Sequence, residues 1–255
     1  MKIHLHQFLS RTGLFKSKQE LIESVKNGFV TIEEKIILNP MYRFNPYKKV
    51  VKYKGNILKI VDKKYYYVIN KPIGYLSTRL TSLDIHNKKK SVFDLLDIDE
   101  KIKRTLFCVG RLDEDTSGLL IITNDGKFGF KIAHPKFEIK KTYYVVLEKP
   151  ITEIKIKEIE QGINITTEID GKYIKYKTKP FKIKLISERK LFITLSEGKK
   201  REVRKIFEAI NNKVLKLERI SINNLNLKEL DLKQGQYKEV SFEYLNKKVF
   251  TTKFS

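Results

Sequence analysis

The sequence predicts an α+β fold in two parts, a small helical N-terminal part with short strands and a larger strand-rich remainder. Three observations carry this reading. Two apolar helical stripes with stop signals fall within residues 5–28, strand-length apolar segments recur from residue 64 onward, and one more helical stripe follows Gly198. With 255 residues, 41% of them hydrophobic, the chain is long enough to bury a substantial core.

Leu5, Phe8 and Leu9 share one helical face, and Gly13 supplies a left-handed stop after it. Ser17 and Glu20 have capping-box spacing, Leu21, Ile22 and Val25 form the next stripe, and Gly28 ends it. A helix of about ten residues is marginal alone, so it must pack on its neighbour and on the apolar segment 29–32. Further on, residues 65–69, 119–123, 142–147 and 191–195 read as strands, and Asn124-Asp125-Gly126 reads as a turn closing one of them. Lys179-Pro180 punctuates a later region. Val203, Ile206, Phe207 and Ile210 then make a helical stripe, with Arg201, Arg204 and Lys205 on other parts of the same turns. The expected boundary separates residues 1–60 from residues 61–255, across a short junction at 58–64.

Lysine and arginine number 53 against 30 acidic residues, a formal charge of +23. Residues 1–60 are the denser part, with 12 basic side chains against 4 acidic. Such a balance points to a polyanionic partner, nucleic acid first. A membrane surface would require a long basic amphipathic helix, and the chain shows none. Its one cysteine, Cys108, forms no intramolecular disulfide and fits a reducing compartment. His4, His6, His86 and His134 are scattered and make no zinc set, so no metal is expected. Without an apolar run near 20 residues or a secretion signal, the expectation is a soluble cytoplasmic protein. No P-loop or dinucleotide fingerprint calls for a nucleotide cofactor.

The segment VGRLDEDTSGLLIITNDG, residues 109–126, reads as a polar loop fixed to a buried strand, which holds a carboxylate rigidly in reach of substrate. Local spacing leaves alternatives open. Asp113, Glu114 and Asp115 also suit a surface turn, or a carboxylate pair for glycoside hydrolysis. Arg204 has the spacing to pair with Glu208 at i to i+4, and Tyr143 suits a buried strand position beside Tyr144 and Val145.

Taken together, the motifs resemble the RsuA family of pseudouridine synthases. They occur in that family's order: Asn70-Lys71-Pro72-Ile73-Gly74 with Ser77-Thr78, then Ser91-Val92-Phe93-Asp94-Leu95-Leu96, then Gly110-Arg111-Leu112-Asp113, then His134-Pro135 and Lys141-Thr142-Tyr143, and last EGKKREVRKIFEAI. The N-terminal stretch FLSRTGLFKSKQELIESVKNGFVTI resembles the alpha-L RNA-binding domain named after a small-subunit ribosomal protein. It departs from that pattern at Lys16-Ser17-Lys18, where a Ser-Arg pair is usual, and at Glu33-Glu34, where Asn-Gly is usual.

The resemblance implies a large mixed, mainly antiparallel sheet with flanking helices, and isomerisation of a uridine in structured ribosomal RNA without a cofactor. It makes Asp113 the catalytic carboxylate, Arg204 the arginine that holds it, and Tyr143 the ring stacked on the uracil. Arg111 would fill the space left by a flipped-out base. Lys71 and Lys141 would serve RNA binding or structure, and Arg201 would bind RNA. Arg11, Lys16, Lys18 and Lys26 would bind RNA from the N-terminal domain. The final segment VLKLERISINNLNL is more like large-subunit modifiers. The competing expectation is a noncatalytic RNA-binding or ribosome-assembly factor. Nothing in the sequence calls for an obligate protein partner or for more than a monomer.

Overall fold

The computed structural model of the protein describes residues 2–169 and 171–250. They form two compact units, one of residues 1–65 with 78–107 and one of residues 66–77 with 108–255. The first unit therefore takes in a segment from the middle of the chain.

In the first unit the N-terminal stripe becomes α1 (Leu5–Ser10), with Leu5, Phe8 and Leu9 buried. The second becomes α2 (Lys18–Lys26). The Ser17 hydroxyl accepts from the Glu20 amide as the capping-box spacing predicts, but the Glu20 carboxylate takes the Lys16 amide rather than that of Ser17. Four short strands follow as an antiparallel sheet ordered β2-β1-β3-β4: β1 (Val30–Ile32), β2 (Lys35–Ile36), β3 (Val51–Tyr53) and β4 (Asn56–Ile57). Val25, Val30, Phe44 and Val51 close a core of this segment's own with the α1 residues.

The second unit is built on β5 (Tyr66–Lys71), β6 (Ser117–Thr123), β7 (Lys141–Leu147), β10 (Lys182–Ser187), β11 (Lys190–Leu195), β12 (Val214–Ile222) and β13 (Tyr237–Glu239), with a separate hairpin of β8 (Asn164–Ile169) and β9 (Lys172–Lys177). The large sheet runs β10-β11-β7-β12-β6-β5-β13, and every pair on this path is antiparallel except β6 with β12. All residues of β5 and β6 are buried, as expected of central strands. The mixed, mainly antiparallel sheet is the one expected.

Asn124-Asp125-Gly126 closes β6 as read, and helix α3 (Gly126–Ala133) follows at once, the Asp125 carboxylate accepting from the Lys127 and Phe128 amides as its cap. Helix α4 (Glu153–Glu160) covers β7 and β11 through Ile156 and Ile159. Helix α5 (Glu202–Glu208) buries Val203, Ile206 and Phe207 in the same core, and α6 (Phe242–Phe250) buries Leu245 and Val249 in a second core with Leu119 and Ile121. Among the described residues no helix is long and apolar enough to cross a membrane.

Candidate active site

The loop entering β6 begins at Gly110, whose φ of +73° is a left-handed conformation that glycine adopts without a Cβ clash. Three ties then hold residues 112–116. The Ser77 hydroxyl donates to the Leu112 carbonyl at 2.8 Å and accepts from the Leu112 amide at 3.1 Å. The Gly74 amide donates to the Glu114 carbonyl at 2.9 Å. The Lys71 ammonium, wholly buried, donates to the carbonyls of Pro72 and Thr116 at 2.9 and 2.8 Å and more weakly to that of Glu114. Its burial pushes its pKa down to about 8 against the pull of Asp115, Glu114 and Asp113. Lys71 was expected to serve RNA binding or structure; its buried ammonium is held on loop carbonyls.

This bracing leaves the Asp113 carboxylate on the wall of a pocket of about 260 Å³. Such a volume is a little below the roughly 300–1,000 Å³ of drug-sized ligand sites, and it suits a single nucleoside. Arg111, Lys141, Tyr143, Arg201 and Arg219 share the lining with Asp113. Tyr143 comes from β7, where the expected strand holds, and it is half-buried rather than sunk in the sheet. Arg111 is exposed at the rim. Lys141 is lowered to about 8, first by burial and then by the Arg219 charge. Arg11, Lys16, Lys18 and Lys26 belong to the first unit, where the three lysines are exposed and Arg11 is half-buried.

The arginine assignments change in detail. Arg204 was expected on Asp113, but its side chain spans from the Val214 carbonyl at 3.0 Å to the Asp115 carbonyl at 2.9 Å and the Asp115 carboxylate at 3.3 Å. The helix places it a turn deeper, 14% exposed, where backbone acceptors use its planar fork. Arg201 instead lies 3.9 Å from Asp113 Oδ2, while it grips Asp115 in a two-pronged pair at 3.1 and 2.8 Å. Partial burial would raise the Asp115 carboxyl, but Arg201 and Arg204 outweigh it and hold that group below the ordinary range. Asp115 is thus the anchor that fixes the start of α5 against the loop of residues 110–116, and Asp113 stays open to the pocket.

Several pocket residues escaped the sequence reading. Arg219 is 2% exposed, with its Nε donating to the Leu119 carbonyl at 2.7 Å. It is admitted by Gly118, where a Cβ would lie 2.2 Å from the Arg219 carbonyl oxygen. Glu197 and Glu202 are buried residues of the same lining, Glu197 holding the Tyr176 hydroxyl and the Lys179 amide. The only signal for Arg219 is a charge at a position of VLKLERISI that the strand buries.

The profile of the RNA pseudouridylate synthase family matches residues 65–209, more than half of the chain. The chain belongs to this family. It is an RNA pseudouridine synthase of the RsuA and RluB type, an isomerase. Its similarity extends past the matched segment: it is 31% identical over 219 residues to the ribosomal small subunit pseudouridine synthase A of Escherichia coli K12, covering 86% of this chain and 88% of that protein. It is 32% identical over 233 residues to the ribosomal large subunit pseudouridine synthase B of Bacillus subtilis 168, covering 89% and 88%. The fold matches a crystal structure of a pseudouridylate synthase with a TM-score of 0.65 and 25% identity, across 97% of this chain and all of the other. The synthase family thus accounts for the sheet that carries the braced loop.

Proposed function

We propose that this synthase converts a specific uridine of ribosomal RNA to pseudouridine, with Asp113 as the catalytic carboxylate. The observation that carries the reading is the placement of Asp113: braced by Ser77, Gly74 and Lys71, yet 37% exposed on the wall of a nucleoside-sized pocket that also holds Tyr143. In the reaction the bond from the ribose anomeric carbon to uracil N1 breaks. The ring turns, carbon 5 bonds to the anomeric carbon and gives up its proton, and N1 ends protonated. Asp113 assists either by attacking the anomeric carbon or by taking a sugar proton, and both routes need it ionised. Arg201 lies 3.9 Å from its carboxylate. Tyr143 stacks on the uracil, and Arg111 at the rim occupies the gap that the extruded base leaves.

Residues 1–60 act as the RNA-binding domain, with Arg11, Lys16, Lys18 and Lys26 toward phosphates, and residues 61–255 act as the catalytic domain. The protein works as a cytoplasmic monomer. The segment VLKLERISINNLNL favours a large-subunit target, while relatives named for either subunit are almost equally similar to the chain. The test maps pseudouridines in both ribosomal RNAs with Asp113→Ala and the parent protein. One uridine is expected to lose its conversion completely while RNA binding persists; conversion by Asp113→Ala at the parent rate would overturn the assignment. A noncatalytic binding factor would leave the map unchanged in both.

A further inference from the structure

The isomerisation involves two proton transfers at the base: N1 of the uracil ends protonated, and carbon 5 gives up its hydrogen. Asp113 works on the sugar, so both transfers fall to another group. That group needs a hydrogen to give, a pKa not far from neutrality and a place beside the ring.

Lys141 meets these conditions. Lys141 and Tyr143 stand two apart on β7, so their side chains leave the same face of the strand, and both line the pocket with Asp113. Among the described residues the Lys141 ammonium makes one long hydrogen bond, donating to the Ile139 carbonyl at 3.3 Å, and pairs with no carboxylate. Lys71 has a similarly lowered pKa but meets three loop carbonyls, whereas Lys141 keeps N–H bonds for the pocket. A second cation lies close to it. Arg219 is the cross-strand partner of Tyr143, and its Nη2 is buried without a hydrogen-bond partner. Burial and the Arg219 charge act against the Lys141 ammonium, Glu202 of α5 favours it, and the balance sits at about 8. Such a group holds its proton at neutral pH and releases it at little cost.

The shape of uracil lets one group serve both transfers. A half-turn about the line through N3 and carbon 6 exchanges N1 with carbon 5. A group that meets N1 in the uridine therefore meets carbon 5 once the ring has turned.

Resting on the Asp113 reading above, we propose that Lys141 is the proton carrier of the isomerisation, giving a proton to N1 of the departing uracil and recovering one from carbon 5. When the bond from the anomeric carbon to N1 breaks, its electron pair stays on N1 and takes a proton from the Lys141 ammonium, which leaves a neutral amine. The pair of the double bond between carbons 5 and 6 then forms the new bond to the anomeric carbon. The hydrogen on carbon 5 leaves as a proton to the amine, and its electron pair restores the double bond. Lys141 ends as it began, and the count is the same for either route open to Asp113.

The test uses the full-length protein and ribosomal RNA carrying hydrogen or deuterium at carbon 5 of the target uridine. Lys141→Gln is expected to lower kcat by about 100- to 10,000-fold, the usual share of a general acid–base group, with KM within a fewfold of the parent. Lys141→Arg keeps the charge but does not give up its proton, so it is expected to be as slow. The deuterium effect on kcat should be larger in both variants than in the parent, because carbon 5 then loses its hydrogen without a placed base. Lys141→Ala is expected to regain activity in proportion to added ethylamine and not with tetramethylammonium, which brings charge without a proton. Parent-like kcat in Lys141→Gln overturns the proposal. So does a loss confined to KM and restored in Lys141→Arg, the mark of a phosphate contact, or the absence of both the deuterium effect and the amine response. If Asp113→Ala is inactive while Lys141→Gln turns over normally, the proton carrier alone falls; if the parent converts no ribosomal uridine, both readings fall.

Discussion

Glu202 is 4% exposed and Glu197 is 6% exposed, and the two carboxyls face each other on the pocket wall. The Lys199 amide donates to one oxygen of Glu202; were both acids ionised, the other oxygen would have no donor. A single shared proton removes that conflict. Burial first, and then the Glu197 hydrogen bond and charge, raise the Glu202 pKa from 4.5 to about 8. The folded protein therefore keeps this proton where the unfolded chain has lost it, so its contribution to stability falls as pH rises from about 4.5 to about 8. Glu202→Gln supplies a permanent N–H donor to Glu197. We expect it to raise Tm by about 2–4 °C at pH 8, an effect of order 1 kcal/mol, and to show little change at pH 5. Thermal melts across that range check it; an equal or negative shift at pH 8 would refute the shared proton. This pair was illegible in the sequence because a glutamate in EGKKREVR reads as a solvated helix acid until Tyr176 and the Lys179 amide arrive from the hairpin. The polar loop that carries Asp113 was legible because its signals are local, whereas the partner of Arg204 depended on which acid of Asp113-Glu114-Asp115 the sheet turned toward α5.

At the scale of elements, stripes and stop signals located the helices to within a few residues, because α1, α2 and α5 each bury one apolar face. The strands 65–69 and 119–123 reappear slightly extended as β5 and β6. What escaped was pairing: nothing in residues 117–123 announces a parallel neighbour a hundred residues later, and the Gly118 approach that permits it is visible only with both strands in place. The β1–β2 turn was legible as an anomaly. Glu33 and Glu34 both have left-handed backbone, at φ of +49° and +62°, in the two-residue turn that Asn-Gly commonly fills. A left-handed non-glycine residue costs roughly 1–2 kcal/mol. Glu34 recovers little of this, since its 77% exposed side chain pairs with Lys52 at the surface. Glu33 is better placed, accepting the Val50 amide at 2.7 Å. Glu34→Gly is therefore expected to stabilise the protein by up to about 1 kcal/mol, with the greater entropy of glycine in the unfolded chain limiting the gain. Urea unfolding measures it. A loss of stability would mean that the Lys52 pair outweighs the backbone strain.

For the whole molecule, the question is whether binding and chemistry separate. The core around Leu5, Phe8, Leu21 and Val30 draws its residues from the first 60 positions, while the two cores that support the pocket contain none of them. The pocket lining likewise comes entirely from residues 109–222. Removing residues 1–60 deletes 12 of 53 basic side chains but none of the ties that brace Asp113. It does cost the segment 78–107 some partners, since the Arg104 guanidinium donates to the Leu14 carbonyl and Gly13 packs against the backbone of Lys101. A fragment of residues 61–255 is thus expected to fold with a lower Tm and to convert its uridine at saturating RNA within a fewfold of the parent rate. Its KM should rise at least tenfold, because tenfold is only about 1.4 kcal/mol of binding, less than a few lost phosphate contacts provide at low salt. The salt dependence of its RNA binding should flatten as well, since fewer counterions are released. Steady-state kinetics at two salt concentrations separate the outcomes. A fragment with a collapsed kcat and unchanged KM would mean that the N-terminal residues act on the chemistry and not on capture of the RNA.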